Sequence, residues 1–323
     1  MKKYLLIILT LLLLGCKTEQ IDTSVTECAS CPEALACATS FAIDNKIYIF
    51  AGKTAEKKYS NSLYCYDCTT DSWSAAINTP LAKRVYPVSA VVGEDVYIGL
   101  GYNGGSIYSD ESYLRDFWRY QPSTNSWEQL ADYPDRNTDC AVSFVLEGKI
   151  YVGWGSHGTY STDIYCYDPS TNAWSKVQQQ SSLSSPPRMT AAAAGVVDGR
   201  CFMGTGFRKG SHTYWGEFSP ADGTWKERAS LPGKGRHNTA FAADEESVWL
   251  FGGWHYGEIE GIGRYYADIL RYDAATDKWQ RAGVMPCSEM INGIAVHANR
   301  KIYFGLGETP DQTCLNTFYS IEK

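Results

Sequence analysis

Six segments of this 323-residue chain can be laid over one another, and that repetition limits the fold more than any other feature. Each segment carries a β-branched and aromatic run ending in glycine: Ile47-Tyr-Ile-Phe-Ala-Gly52, Val96-Tyr-Ile-Gly-Leu-Gly101, Ile150-Tyr-Val-Gly-Trp-Gly155, Cys201-Phe-Met-Gly-Thr-Gly206, Val248-Trp-Leu-Phe-Gly-Gly253 and Ile302-Tyr-Phe-Gly-Leu-Gly307. The closing glycines lie 49, 54, 51, 47 and 54 residues apart. A turn closed by tryptophan recurs with them, at Trp73, Trp127, Trp174, Trp225 and Trp279. Before most of these turns stands a Tyr-Asp or similar pair, as in Tyr66-Asp67, Tyr120-Gln121, Tyr167-Asp168 and Tyr272-Asp273. Each repeat therefore predicts four short strands, a to d. Strand a is narrow, as in Thr190-Ala-Ala-Ala-Ala-Gly195, because innermost strands crowd an axis. Strand b ends in a glycine where the chain turns sharply or another backbone comes close. Strand c ends at a turn rich in Asp, Asn, Thr and Pro. The tryptophan opens strand d and offers an apolar face that one sheet cannot bury alone, so the sheets must stack around a centre.

The x-Gly or Gly-Gly pair, the tyrosine, and the tryptophan about 20 residues after the glycines make the chain resemble the Kelch-repeat family over roughly residues 25–323. The resemblance implies an all-β, six-bladed Kelch-type β-propeller. The sixth repeat stops before any tryptophan, while the start of the chain holds a piece with no repeat of its own. Val25-Thr-Glu-Cys-Ala-Ser-Cys-Pro32 aligns with Trp127-Glu-Gln-Leu-Ala-Asp-Tyr-Pro134, and each is followed by a matching strand a. The last blade is thus expected to be closed by an N-terminal strand, which removes an open sheet edge.

Met1-Lys2-Lys3 precedes an apolar run from Tyr4 to Leu14 and then Gly15-Cys16. This reads as a secretory signal over residues 1–15, too short to span a bilayer. Leu13-Leu14-Gly15-Cys16 resembles a bacterial lipobox, which implies acylation (palmitate among the chains) at Cys16, a polar tether over residues 16–24 and anchoring to the cell envelope through the lipid. Lys17 after the lipidated cysteine favours the outer membrane, on either of its sides. A net charge of −7 argues against a nucleic-acid partner. Ten further cysteines permit disulfides in an exported chain, with connectivity left open. Cys28/Cys31 and Cys65/Cys68 fall in different parts of the repeat, which speaks against a shared zinc site, and neither a metal nor another cofactor is expected.

Alternating strand direction puts the d–a and b–c connections on one face. Arg84, Arg136, Arg188 and Arg236 occupy equivalent places before strand a and are expected to ring the channel mouth on that face. The b–c loops there bring Tyr102, Trp154, His157, Phe207, Trp254, His255 and Tyr256. Guanidinium groups grip carboxylate or phosphate bidentately and aromatic faces stack on sugars, so this set suits a glycan or an envelope protein as ligand. The five repeat tryptophans belong to the core. Asp135, Asp139, Glu258, Glu260 and Glu289 are candidate acids or bases near the mouth, but no catalytic constellation is visible. The copper set of galactose oxidase, whose catalytic domain is also Kelch-like, does not map onto this chain, so that likeness is one of fold. The expected function is a binding module at the channel mouth. The alternative is a sugar mutarotase resembling N-acetylneuraminate epimerase, in which an arginine ring would hold the substrate carboxylate.

Overall fold

The computed structural model describes residues 18–21, 23–136, 138–180, 188–257 and 263–322; Cys16, the signal segment, Glu258 and Glu260 lie outside them. Six antiparallel sheets form the propeller. Blade 1 runs Thr39–Ile43, Lys46–Thr54, Tyr59–Asp67, Ser72–Trp73 from the axis outward. Blade 3, for comparison, runs Val142–Leu146, Lys149–Gly153, Ile164–Asp168, Ala173–Lys176. In blade 6 the order is Ile294–Ala298, Lys301–Gly305, Phe318–Glu322 and then Ser24–Cys28, so the N-terminal segment supplies strand d. Its register is antiparallel, from Ser24 opposite Glu322 to Cys28 opposite Phe318. Among the described residues the helical content is one 3-10 turn, Asp110–Ser112, and no helix is long and apolar enough to cross a membrane.

The segment expected as a tether is partly docked. Glu19–Gln20 pairs in parallel with Gln280 and Arg281 of the outer strand of blade 5, and Ile21 packs on the apolar cluster between blades 5 and 6. An edge strand with free donors and acceptors takes up whatever extended backbone lies beside it, regardless of side-chain polarity.

The core sits between blades. Six apolar clusters each draw residues from two neighbouring sheets, as where Ile47 and Ile49 of blade 1 meet Tyr303 and Phe318 of blade 6. The repeat landmarks also build a polar clamp between blades. The Tyr66 hydroxyl donates to Asp71 Oδ1 (2.7 Å), which also accepts the Ala29 N–H (2.7 Å), while Trp73 Nε1 donates to the Ala29 carbonyl (2.8 Å). Tyr167, Asn172 and Trp174 hold Ala131 in the same way, and Tyr272, Asp277 and Trp279 hold Ala229. Asp71, Asn172 and Asp277 all have φ near +50°, a conformation that Asn and Asp tolerate better than other side chains. In blade 1 the clamp grips the N-terminal segment, so ring closure uses the same device as two other joints.

The glycine ending strand b is required by close approach. Gly101 has φ +101°, and a Cβ there would lie 2.5 Å from the Val85 carbonyl oxygen. The residue before each closing glycine is also left-handed: Ala51, Leu100, Trp154, Thr205, Gly252 and Leu306 have φ between +54° and +65°. Five of these six positions carry a side chain at a conformational cost, offset by full burial.

Candidate functional site

Around the channel mouth the innermost chain of every blade contributes one left-handed residue: Cys37, Tyr86, Cys140, Ala191, Asn238 and Asn292, with φ between +51° and +59°. Their main chains hydrogen-bond to one another around the axis. Cys37 N–H donates to the Asn292 carbonyl, Asn292 to Asn238, Asn238 to Ala191, Ala191 to Cys140, and Tyr86 to Cys37, at 2.8–3.2 Å. Below this belt hydroxyls tie blades together: Ser40 donates to the Ala295 carbonyl, Ser89 to that of Ser40 and Ser143 to that of Ser89. The six belt residues and the first residues of each strand a enclose a cavity of about 190 Å³.

The belt fixes which residues are equivalent. Two positions before each belt residue stand Leu35, Arg84, Thr138, Met189, Arg236 and Met290, and the carbonyls of five of these accept the closing-glycine N–H groups. The expected arginine ring therefore does not form. Arg136 and Arg188 fall two and one residues out of register; Arg188 is exposed, and Arg136 is 68% exposed with Nη1 3.5 Å from Asp110. Arg84 and Arg236 are in register but 0% and 2% exposed. Arg84 makes a bidentate pair with Asp116 (2.7 and 2.8 Å) and also donates to the Leu100 carbonyl. Arg236 does the same with Asp268 and the Gly252 carbonyl and lies 3.9 Å over the Tyr266 ring. Both guanidinium groups are buried and committed to a carboxylate inside the protein, with Arg236 Nε left without a hydrogen-bond partner, so neither reaches the surface to meet a ligand. Trp154 is likewise no loop residue: it is 0% exposed and stacks on Trp225 in the core between blades 3 and 4. His255 is buried, with Nδ1 2.8 Å from the Gly235 carbonyl.

What faces the mouth is the residue following each closing glycine: Lys53, Tyr102, Ser156, Phe207, Trp254 and Glu308, each paired by main-chain bonds to the segment before a strand a. Three sectors result. In the first, Lys53 of blade 1 forms an ion pair with Glu308 of blade 6, whose side chain is only 7% exposed. Asn292 Nδ2 donates to Glu308 Oε1 (2.8 Å), and Asn238 donates to Asn292. Burial opposes the Lys53 charge, but Glu308 outweighs it and raises the lysine pKa. Beside them burial pushes the Cys37 thiol up to about 12, against the hydrogen bond from Tyr86.

The second sector joins Phe207, Trp254 and Tyr256 around His237, with ring centroids 4.8 Å (Phe207) and 5.0 Å (Trp254) from the imidazole. Ser211 Oγ accepts the Tyr256 N–H (2.9 Å) and lies 2.8 Å from His237 Nδ1, stapling the b–c loop of blade 4 to blade 5. Burial, helped by His255, lowers the His237 pKa to about 4. A histidine whose folded pKa lies below its ordinary value stabilises fully above pH 6.5, and that contribution is lost as pH falls from 6.5 toward 4. A shift of this size corresponds to about 3 kcal/mol. Wild-type stability in urea should therefore fall more between pH 7 and pH 4.5 than that of His237→Asn; parallel profiles for the two proteins would show that His237 does not titrate in this way.

The third sector is a row of rings, Tyr59–Tyr102–Tyr113–His157, with successive centroids at 6.2, 5.3 and 4.2 Å. His157 Nε2 lies 3.1 Å from Asp110. The row borders Asp139, which precedes belt residue Cys140 and bridges Ser156. Burial raises the Asp139 pKa, against bonds from the Cys140 thiol and N–H. Lys53, Glu308, Asn238 and Asn292 escape notice in the sequence because their contacts join distant repeats. The usable signal was positional: the residue after each closing glycine points to the mouth. Among the described residues no cluster of His, Cys, Asp and Glu is set to hold a metal, and the ten described cysteines are free thiols.

Comparison with known proteins agrees with this architecture. The family model described as the KLHDC2/KLHL20/DRC7 Kelch-repeats domain matches residues 9–206. Kelch-like protein 23 of Pongo abelii is 23% identical over 249 residues, 76% of this chain and 41% of that one. N-acetylneuraminate epimerase of Pasteurella multocida is 28% identical over 128 residues, 39% of this chain and 33% of that one. The chain spans less than half the length of the curated relatives it matches. A solved structure, "Structure of YjhT", superposes with a TM-score of 0.75 at 17% identity, covering 92% of this chain and 99% of that one, a likeness of fold. With the family model matched over more than half its length and six sheets built on the repeat, the chain belongs to the Kelch-repeat family.

Proposed function

We propose that the protein is a lipid-anchored envelope module that binds a glycan or protein ligand at the channel-mouth face. The observation that carries this reading is the set of half-buried rings beside the belt, with Phe207, Trp254 and Tyr256 gathered around His237 and Tyr102 in the neighbouring row of tyrosines. Rings held on a rigid scaffold offer flat apolar faces at small entropic cost, and loop positions on such scaffolds commonly carry binding. The reading is tested by a glycan-array screen followed by titration of each hit against Trp254→Ala. The variant should bind at least tenfold more weakly while remaining folded; equal affinity counts against this face. Anchoring at Cys16 is tested by metabolic labelling with palmitate, which Cys16→Ala should abolish.

The relative named N-acetylneuraminate epimerase supports a second reading, sugar mutarotation at the same mouth. Following freshly dissolved N-acetylneuraminate by NMR separates the two readings, since a rate equal to that of buffer leaves only binding.

A further inference from the structure

We propose that Asp139 is the receptor for a protonated primary amine on the ligand, an inference that rests on reading the channel mouth as the binding face. The other carboxylates placed by the propeller joints are neutralised from within. Asp116 is taken by Arg84, Asp268 by Arg236, and Glu308 by Lys53 and Asn292. Asp139 has no cationic partner among the described residues. Its side chain meets the Cys140 thiol at 3.4 Å, and Arg136, three residues earlier, reaches toward Asp110 instead.

The surroundings suit an ammonium group rather than an anion. Tyr59, Tyr86 and Tyr113 all lie within electrostatic reach of the Asp139 carboxylate. Tyr59 and Tyr113 flank Tyr102 in the ring row at the mouth. Ring faces carry partial negative charge and attract cations, and an ammonium donates hydrogen bonds where a carboxylate only accepts. Asp139 is half-buried, which raises the cost of its charge while leaving it within reach of a ligand; a ligand cation would supply a partner that the fold withholds. The net charge of −7 adds a long-range attraction of the same sign.

Three disaccharides that share one skeleton test the idea: chitobiose with free amines, N,N′-diacetylchitobiose and cellobiose, titrated at pH 6 while following amide and side-chain resonances of the mouth. The expected result is that chitobiose binds at least about tenfold more tightly than the other two, as a charge-assisted hydrogen bond requires, and that Asp139→Asn removes the difference. If the three bind alike at the mouth, the amine assignment falls and the binding face stands. If none perturbs the mouth, the amine assignment falls, and the binding face is judged by the glycan-array titration against Trp254→Ala. Should Asp139→Asn fail to fold, the comparison of amine with acetamide on the wild-type protein decides the matter alone.

Discussion

Replacing Arg84 with alanine is expected to lower the free energy of unfolding by about 3 kcal/mol. The guanidinium is 0% exposed and donates to both Asp116 oxygens, to the Leu100 carbonyl and to the Ala82 carbonyl. Its removal leaves Asp116 with the Trp118 indole N–H as its remaining side-chain donor, and leaves a void beneath the mouth. The Asp116 side chain is 22% exposed, so water partly compensates, which sets the loss near the lower end for a broken buried pair. Arg84→Lys should recover only part, because an ammonium cannot span both oxygens. Arg236→Ala should behave alike, losing in addition the contact with Tyr266. The contrast is Arg136→Ala, whose exposed pair with Asp110 should contribute less than about 0.5 kcal/mol. Urea midpoints at constant slope measure all four; a shift for Arg84→Ala no larger than for Arg136→Ala would falsify the scaffold role.

Removing residues 1–28 is expected to cost the protein its cooperative fold. The deletion takes strand d from blade 6 and leaves Phe318–Glu322 as a bare edge. It also strips Ile21, Val25 and Cys28 from two inter-blade clusters. Several main-chain hydrogen bonds at about 1 kcal/mol each, together with this apolar burial, are comparable to the whole stability of a typical domain. An unpaired edge recruits other chains, so the truncated protein should elute as oligomers and melt broadly. A synthetic peptide of residues 18–32 added in trans should restore a monomer with a sharp transition. A truncated monomer that melts as the full chain does would mean that the ring does not depend on this strand.

Much of this architecture was legible in the sequence, because glycine and tryptophan mark obligatory geometry at a fixed period. The closing strand was legible too, since Val25–Pro32 repeats the pattern after Trp127. The mouth was misread where spacing stood in for structure. Arg136 and Arg188 look equivalent to Arg84 by distance from strand a, yet Thr138 and Met189 hold that place, because the left-handed belt residue two positions on sets the register. Trp154 stands between Gly153 and Gly155 and by sequence alone reads as a loop residue, but the fold needs a buried left-handed residue before each closing glycine, or a glycine as at Gly252. The Lys53–Glu308 pair joins residues 255 apart, a contact that no local pattern announces. Lipidation at Cys16 rests on sequence alone, since the described residues begin after it.

The mouth is bounded by main-chain atoms, and that separates its strength from its lining. Because peptide groups carry five links of the belt, its side chains need not be alike, and cysteine, tyrosine, alanine and asparagine all stand there, with Asn238 and Asn292 adding bonds of their own. A lineage could exchange one for another and alter what enters without loosening the joint between neighbours. The same construction means that exchanging a belt side chain without bonds of its own, such as Ala191, changes the lining of the axis with little effect on the scaffold's melting point.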